Sequence, residues 1–153
     1  MPGPAQPITL LMADDDSDYC LLAREALAES RLANELHTVA DGEELLDYLY
    51  QRGNFGGGKL SPSPGLILLD LNMPRKDGRE ALAEIKADLH LRHIPVVVLT
   101  TSKAEEDILR SYDLGAAGFI TKPVTFEGLV EVMKSVGRYW FEIVELPPLA
   151  PTG

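Results

Sequence analysis

Apolar residues fall into two kinds of run along this chain. Some segments are apolar throughout until they meet a polar end: "ITLLMA" at 8–13, "GLILLDL" at 65–71, "IPVVVLTT" at 94–101 and the shorter "AGFITKP" at 117–123. "NELHTVA" at 34–40 is a weaker fifth run. Runs without polar alternation suit strands covered on both faces, hence a parallel sheet between helical layers. Between them the apolar residues recur at helical spacing. "SDYCLLAREALAES" predicts a helix capped by Ser17 or Asp18, "DGEELLDYLYQR" one capped by Asp41, and "GREALAEIKADL" one following Gly78. "SKAEEDILRSYDLG" opens on Ser102 and stops at Gly115, a residue suited to a helix C-terminus. "TFEGLVEVMKSVGRYWFEIV" is the last and longest helical pattern. The βα unit occurs five times, which predicts an α/β, doubly wound fold with a five-stranded parallel sheet and right-handed crossovers.

Composition narrows the partners. The 153 residues suffice for one domain with a full core, and no second domain or repeat is visible. Lys plus Arg total 14 against 24 acids, a net charge of -10. That argues against nucleic acid, which needs a basic footprint, and against an anionic membrane surface. The single cysteine, Cys20, excludes an internal disulfide and a cysteine zinc site. It suits a reducing, cytoplasmic location. "MPGPAQP" lacks the basic and apolar regions of a secretory signal, and no apolar run approaches membrane-spanning length.

"GNFGGGKL" at 53–60 nearly spells a phosphate-binding loop, but Leu60 stands where a Ser or Thr hydroxyl is needed. Its context is also wrong. A helical pattern precedes it, and "SPSPG" and a strand follow, so no helix starts at Lys59 to aim amides at a phosphate. It is expected to be a mobile connector at the sheet edge away from any ligand site.

Ligands in open α/β sheets sit at the carboxyl ends of the strands. There the chain places Asp14, Asp15 and Asp16, then Asp70 with Asn72, then Thr100 and Thr101, and finally Lys122 and Pro123. Singly, each has an ordinary explanation: capping, a strand-end threonine, a solvated lysine. Together they gather acids, a hydroxyl and one cation on one edge. Asp70 is the sharpest, since it closes an otherwise apolar strand and is costly there without partners. Clustered carboxylates invite a hard divalent cation, and the set suits phosphoryl transfer to Asp70.

Asp14 and Asp15, "DLNMPRKDG" at 70–78, Thr100 and "KP" at 122–123 in combination resemble the receiver domains of two-component response regulators, over about residues 8–140. The resemblance implies a flavodoxin-like fold with strand order 2-1-3-4-5. It implies that Asp70 accepts a phosphoryl group from a phosphohistidine of a sensor histidine kinase. Mg2+ would be held by the Asp15 and Asp70 side chains and the Asn72 backbone carbonyl, with Asp14 acting through a water. Thr100 and Lys122 would bind the phosphoryl oxygens, the Lys122–Pro123 peptide would be cis, and Asp16 would have no metal role. Phe119 occupies the position of the aromatic switch residue, where many members carry Tyr, so one hydroxyl is missing. Further likeness in "GREALAEIKADLHLRHIPVVVLTTS", in the long loop before the third strand and in "VGRYWFEIVELP" is to the single-domain regulators of bacterial and cyanobacterial phytochromes.

On this reading residues 1–7 are a flexible start, 8–142 the receiver domain and 143–153 a tail, with no DNA-binding output domain. Tyr139, Trp140 and Phe141 are candidate contacts of a homodimer, the alternative being that they pack on their own domain. The protein is expected to be a switch and not a turnover enzyme. Two other readings compete: a constitutive interaction module or phosphate sink, and an aspartyl-phosphate phosphohydrolase. The latter wants an acid two residues after the nucleophile, where Asn72 stands.

Overall fold

The computed structural model describes residues 9–30, 34–56, 62–73, 75–110 and 114–137. Along the chain run β1 (Thr9–Ala13), α1 (Ser17–Glu29), β2 (Leu36–Val39), α2 (Gly42–Tyr50), β3 (Pro64–Asp70), α3 (Gly78–Ala87), β4 (Val96–Thr100), α4 (Lys103–Arg110), β5 (Gly118–Thr121) and α5 (Phe126–Val136). The strands form one parallel sheet in the order β2-β1-β3-β4-β5. Residues of the apolar runs alternate between two cores. Leu11, Ile67, Leu69, Val96 and Val98 face α2, α3 and α4, while Leu10, Leu66, Leu68, Val97 and Leu99 face α1 and α5. A strand buried on both faces has no polar side to show, which is why these segments read as unbroken apolar runs.

Helix starts are set by side-chain caps. Asp16, not Ser17 or Asp18, caps α1: it has extended backbone, and its carboxylate accepts from the N–H groups of Asp18 and Tyr19. The acidic triplet thus divides its work, the third residue serving the helix. Asp41 caps α2 as expected, Asp77 and Glu80 form a reciprocal capping box on α3, and Thr125 caps α5. Ser102 accepts from Glu105 N–H at the start of α4, and Gly115 has a φ of 77°.

Two expectations are corrected or left outside. The Lys122–Pro123 peptide is trans, since no cis peptide occurs among the described residues. The two isomers of an X–Pro bond differ by only about 0.5–1 kcal/mol, so the dipeptide itself does not select one. Residues 1–7, the aromatic Tyr139, Trp140 and Phe141, and the tail 143–153 lie outside the described residues. Of "GNFGGGKL", Gly53–Phe55 forms a single 3-10 turn after α2 and leads towards β3. No helix follows its described part before the strand, which is the reverse of a phosphate-binding loop.

Candidate functional site

Parallel strands end on one edge, and the strand ends of β1, β3 and β5 bring their polar residues together there. Asp14 follows β1, where its N–H donates to Val39 C=O (3.0 Å) and its Oδ1 accepts from Asp16 N–H (2.9 Å). Asp70 closes β3, and its Oδ1 accepts from Asn72 N–H at 3.0 Å. Lys122 follows β5, anchored by its N–H on Thr100 C=O at 2.7 Å. Its Nζ lies 2.5 Å from Asp14 Oδ2 and 3.3 Å from Asp70 Oδ2. The same ammonium stands 4.9 Å above the ring centroid of Tyr19 on α1, a favourable cation–π distance.

Charge here is concentrated and largely buried. Asp14 is 2% exposed and Asp70 5%. Burial pushes the Asp70 carboxyl up from its ordinary range, and the Asn72 N–H and Lys122 only partly offset it. For Lys122, burial pulls the ammonium down, but Asp14 and then Asp70 outweigh it, so its pKa ends raised. Asp14 Oδ2 is fully buried, and its partner is the Lys122 ammonium. Oxygens of Asp14, Asp15 and Asp70 lie within 4.8 Å of one another, and Asp15 is exposed. Three carboxylates gathered this closely, two of them sharing one ammonium, fit a hard divalent cation, which takes oxygen ligands and keeps waters.

Thr100 is fully buried at the end of β4. Its hydroxyl faces Ser102 C=O (3.3 Å), Ile120 C=O (3.5 Å) and Thr121 Oγ1 (3.3 Å), all long contacts. Phe119, half-buried on β5, carries the Arg110 guanidinium 5.0 Å from its centroid. Asn72 is exposed, and its amide reaches Glu105 Oε2 at 3.4 Å, while Glu105 Oε1 accepts from Thr101 N–H. Backbone packing shapes the loop after Asp70. A Cβ on Gly78 would lie 2.5 Å from Leu71 Cα and 2.6 Å from Asp70 C=O, so only glycine lets α3 start against the end of β3. A Cβ on Gly42 would lie 2.2 Å from Lys76 C=O, whose oxygen accepts from Gly42 N–H at 2.9 Å. Arg75, at φ 63°, completes this docking with its guanidinium 3.5 Å from Asp41.

The structure thus gathers Asp14, Asp15, Asp70 and Lys122, with Thr100 and Asn72 at the adjoining strand ends. Sequence reasoning passed over Tyr19, Gly42 and the buried Glu106 of α4. Glu106 had a signal: it lies three positions before Leu109, on the apolar stripe of its helix.

The chain is similar to known proteins over most of its length. Residues 10–134 match the family described as response regulator receiver domain. Response regulator Rcp1 of Synechocystis sp. is 41% identical over 141 residues, covering 92% of this chain and 94% of the relative. The phosphorylated cyanobacterial phytochrome response regulator RcpA is 44% identical, with a TM-score of 0.75 over 88% of this chain and 94% of that one. The Mn(2+)-bound form of Rcp1 is 40% identical, with a TM-score of 0.75 over 89% of this chain and 96% of that one. The response regulator RPA3017 in red light signaling of R. palustris is 35% identical, with a TM-score of 0.78 over 87% and 93% of the two chains. With its fold, its strand-end acids and its lysine accounted for, this chain belongs to the response regulator receiver-domain family.

Proposed function

We propose that this protein is a phosphorylatable switch of a two-component system, with Asp70 accepting the phosphoryl group of a phosphohistidine on a sensor histidine kinase. One observation carries the reading. Asp70 is a buried carboxylate at the end of an apolar strand, pushed up by burial, with the Lys122 ammonium 3.3 Å away. In the transfer a carboxylate oxygen of Asp70 attacks phosphorus, the P–N bond breaks, and the electron pair leaves on the imidazole nitrogen, which takes up a proton. Asn72 N–H holds one Asp70 oxygen in place, and Lys122 and Thr100 receive the phosphoryl oxygens. Asp15, Asp70 and the Asn72 carbonyl would hold Mg2+, with Asp14 acting through a water, and the ion would supply charge neutralisation. Turnover is limited to the protein's own phosphoryl transfer and slow hydrolysis, because the Asn72 amide is too weak an acid to protonate a leaving group.

Similarity to regulators named for phytochromes supports a bacteriophytochrome as the kinase. Residues 8–142 form the functional unit, flanked by 1–7 and 143–153, and act in the cytoplasm by changed protein contacts. No described helix is long and apolar enough to cross a membrane. A homodimer through Tyr139, Trp140 and Phe141 belongs to the same reading, and sedimentation with and without a phosphoryl mimic tests it: a strict monomer at high micromolar concentration rejects it.

Incubation with magnesium and acetyl phosphate, followed by intact-mass measurement, tests the central claim. Wild type should gain a phosphoryl mass and Asp70→Asn should not. Labelling of neither rejects the switch in favour of a constitutive module, and sustained phosphate release favours a hydrolase.

A further inference from the structure

Thr100 and Thr121 are partners in the register of β4 and β5, as are Val98 and Phe119 two residues earlier. Side chains two apart on a strand share a face, so Thr121 and Phe119 point the same way, towards α4. There Thr121 Oγ1 donates to Glu106 Oε1 at 3.0 Å. Glu106 Oε2 accepts from Lys103 Nζ and Arg110 Nε, both at 2.9 Å, and Arg110 caps the Phe119 ring. The direction of this chain is fixed by chemistry. A carboxylate only accepts, so the single Thr121 proton goes to Glu106, and Thr121 can only accept from Thr100.

Thr100 is therefore the loose end. It has one proton and three acceptors, none nearer than 3.3 Å. Every other contact in the chain is 2.9–3.0 Å and charge-assisted. A phosphoryl oxygen offers Thr100 a better acceptor, and taking it removes the donor from Thr121.

We propose that Thr121 and Glu106 are positioning residues of a relay that transmits the state of Thr100 to α4 and, through Arg110, to the Phe119 ring. The relay supplies from a helix the polar coupling that a phenylalanine cannot supply itself. It rests on the reading above that Thr100 meets the phosphoryl group, and its test is separate from that reading.

The test uses the full chain with Mg2+ and trifluoroberyllate, following the Phe119 ring and the Ile108 methyl of α4 by NMR, with acetyl phosphate labelling of Asp70 measured in parallel. Thr121→Val should keep wild-type labelling and lose the trifluoroberyllate-induced displacement by about fivefold or more, the scale of one hydrogen bond in a two-state equilibrium. Thr121→Ser, which keeps the hydroxyl, should restore it. Glu106→Gln should displace the Phe119 resonance before any addition. A wild-type response in Thr121→Val overturns the relay. So does loss in both threonine variants, because packing of the methyl would then carry the coupling. Absence of labelling in wild type overturns the phosphorylation reading and the relay with it.

Discussion

Two buried carboxylate clusters sit one strand end apart, and they are built to opposite ends. Glu106, 6% exposed, has both oxygens taken by three donors, and Lys103, Arg110 and Thr121 hold its carboxyl down to about 2. Asp14 and Asp70 share one lysine, and burial pushes Asp70 up. A satisfied carboxylate holds elements in place. Two buried carboxylates that share a single cation keep the capacity to take a metal ion or a new bond, at a cost in stability.

The largest separation of the two should come from removing their cations. Lys122→Met leaves two buried carboxylates without a cation and should cost about 3 kcal/mol in urea unfolding, with Asp70 labelling down about a hundredfold. Loss of Arg110 should be mild by comparison, because it is half-exposed and Lys103 remains on Glu106. Next, Gly78→Ala drives a Cβ into the backbone at Leu71 and Asp70 and should cost about 2 kcal/mol, with labelling reduced in the folded fraction. Removing the carboxylates themselves should give opposite signs. Glu106→Ala should cost about 1–2 kcal/mol, whereas Asp70→Asn should raise stability by about 1 kcal/mol at neutral pH, because a buried charge is gone. Mg2+ should narrow the second difference by stabilising wild type alone. Equal signs for the two variants would end the distinction.

Acid should report Glu106 with the smallest effect. Its folded pKa lies below the ordinary 4.5, so its stabilisation is complete above that value and is lost as pH falls towards about 2. Wild type minus Glu106→Gln stability should therefore shrink across that window. A difference unchanged by pH would mean that the carboxylate contributes through shape alone.

The sheet, its layers and the strand-end acids were legible because they depend on local rules. An all-apolar run needs cover on both faces, and an Asp closing such a run needs partners. Asp41 and Thr125 at their helix starts follow equally local rules. The cap of α1 was misplaced by one or two residues because Asp16, Ser17 and Asp18 all offer capping chemistry. Which of them folds back onto the Tyr19 amide depends on how the chain leaves β1. Glu106 was hidden among Glu105, Asp107 and the exposed basic residues of an acidic helix.

Pattern and chemistry in the chain were thus enough for the strand order's raw material and for placing the acids, Asp70 and Lys122 on one edge of the sheet. They also sufficed to dismiss "GNFGGGKL", since the elements on either side of it are wrong for a phosphate loop. Only the folded molecule decided which carboxylates are satisfied. That depends on the seating of α4 on β5, on the bare Cα of Gly78 against β3, and on the register that sets Thr100 beside Thr121. These are distances between segments far apart in sequence, and no local pattern encodes them.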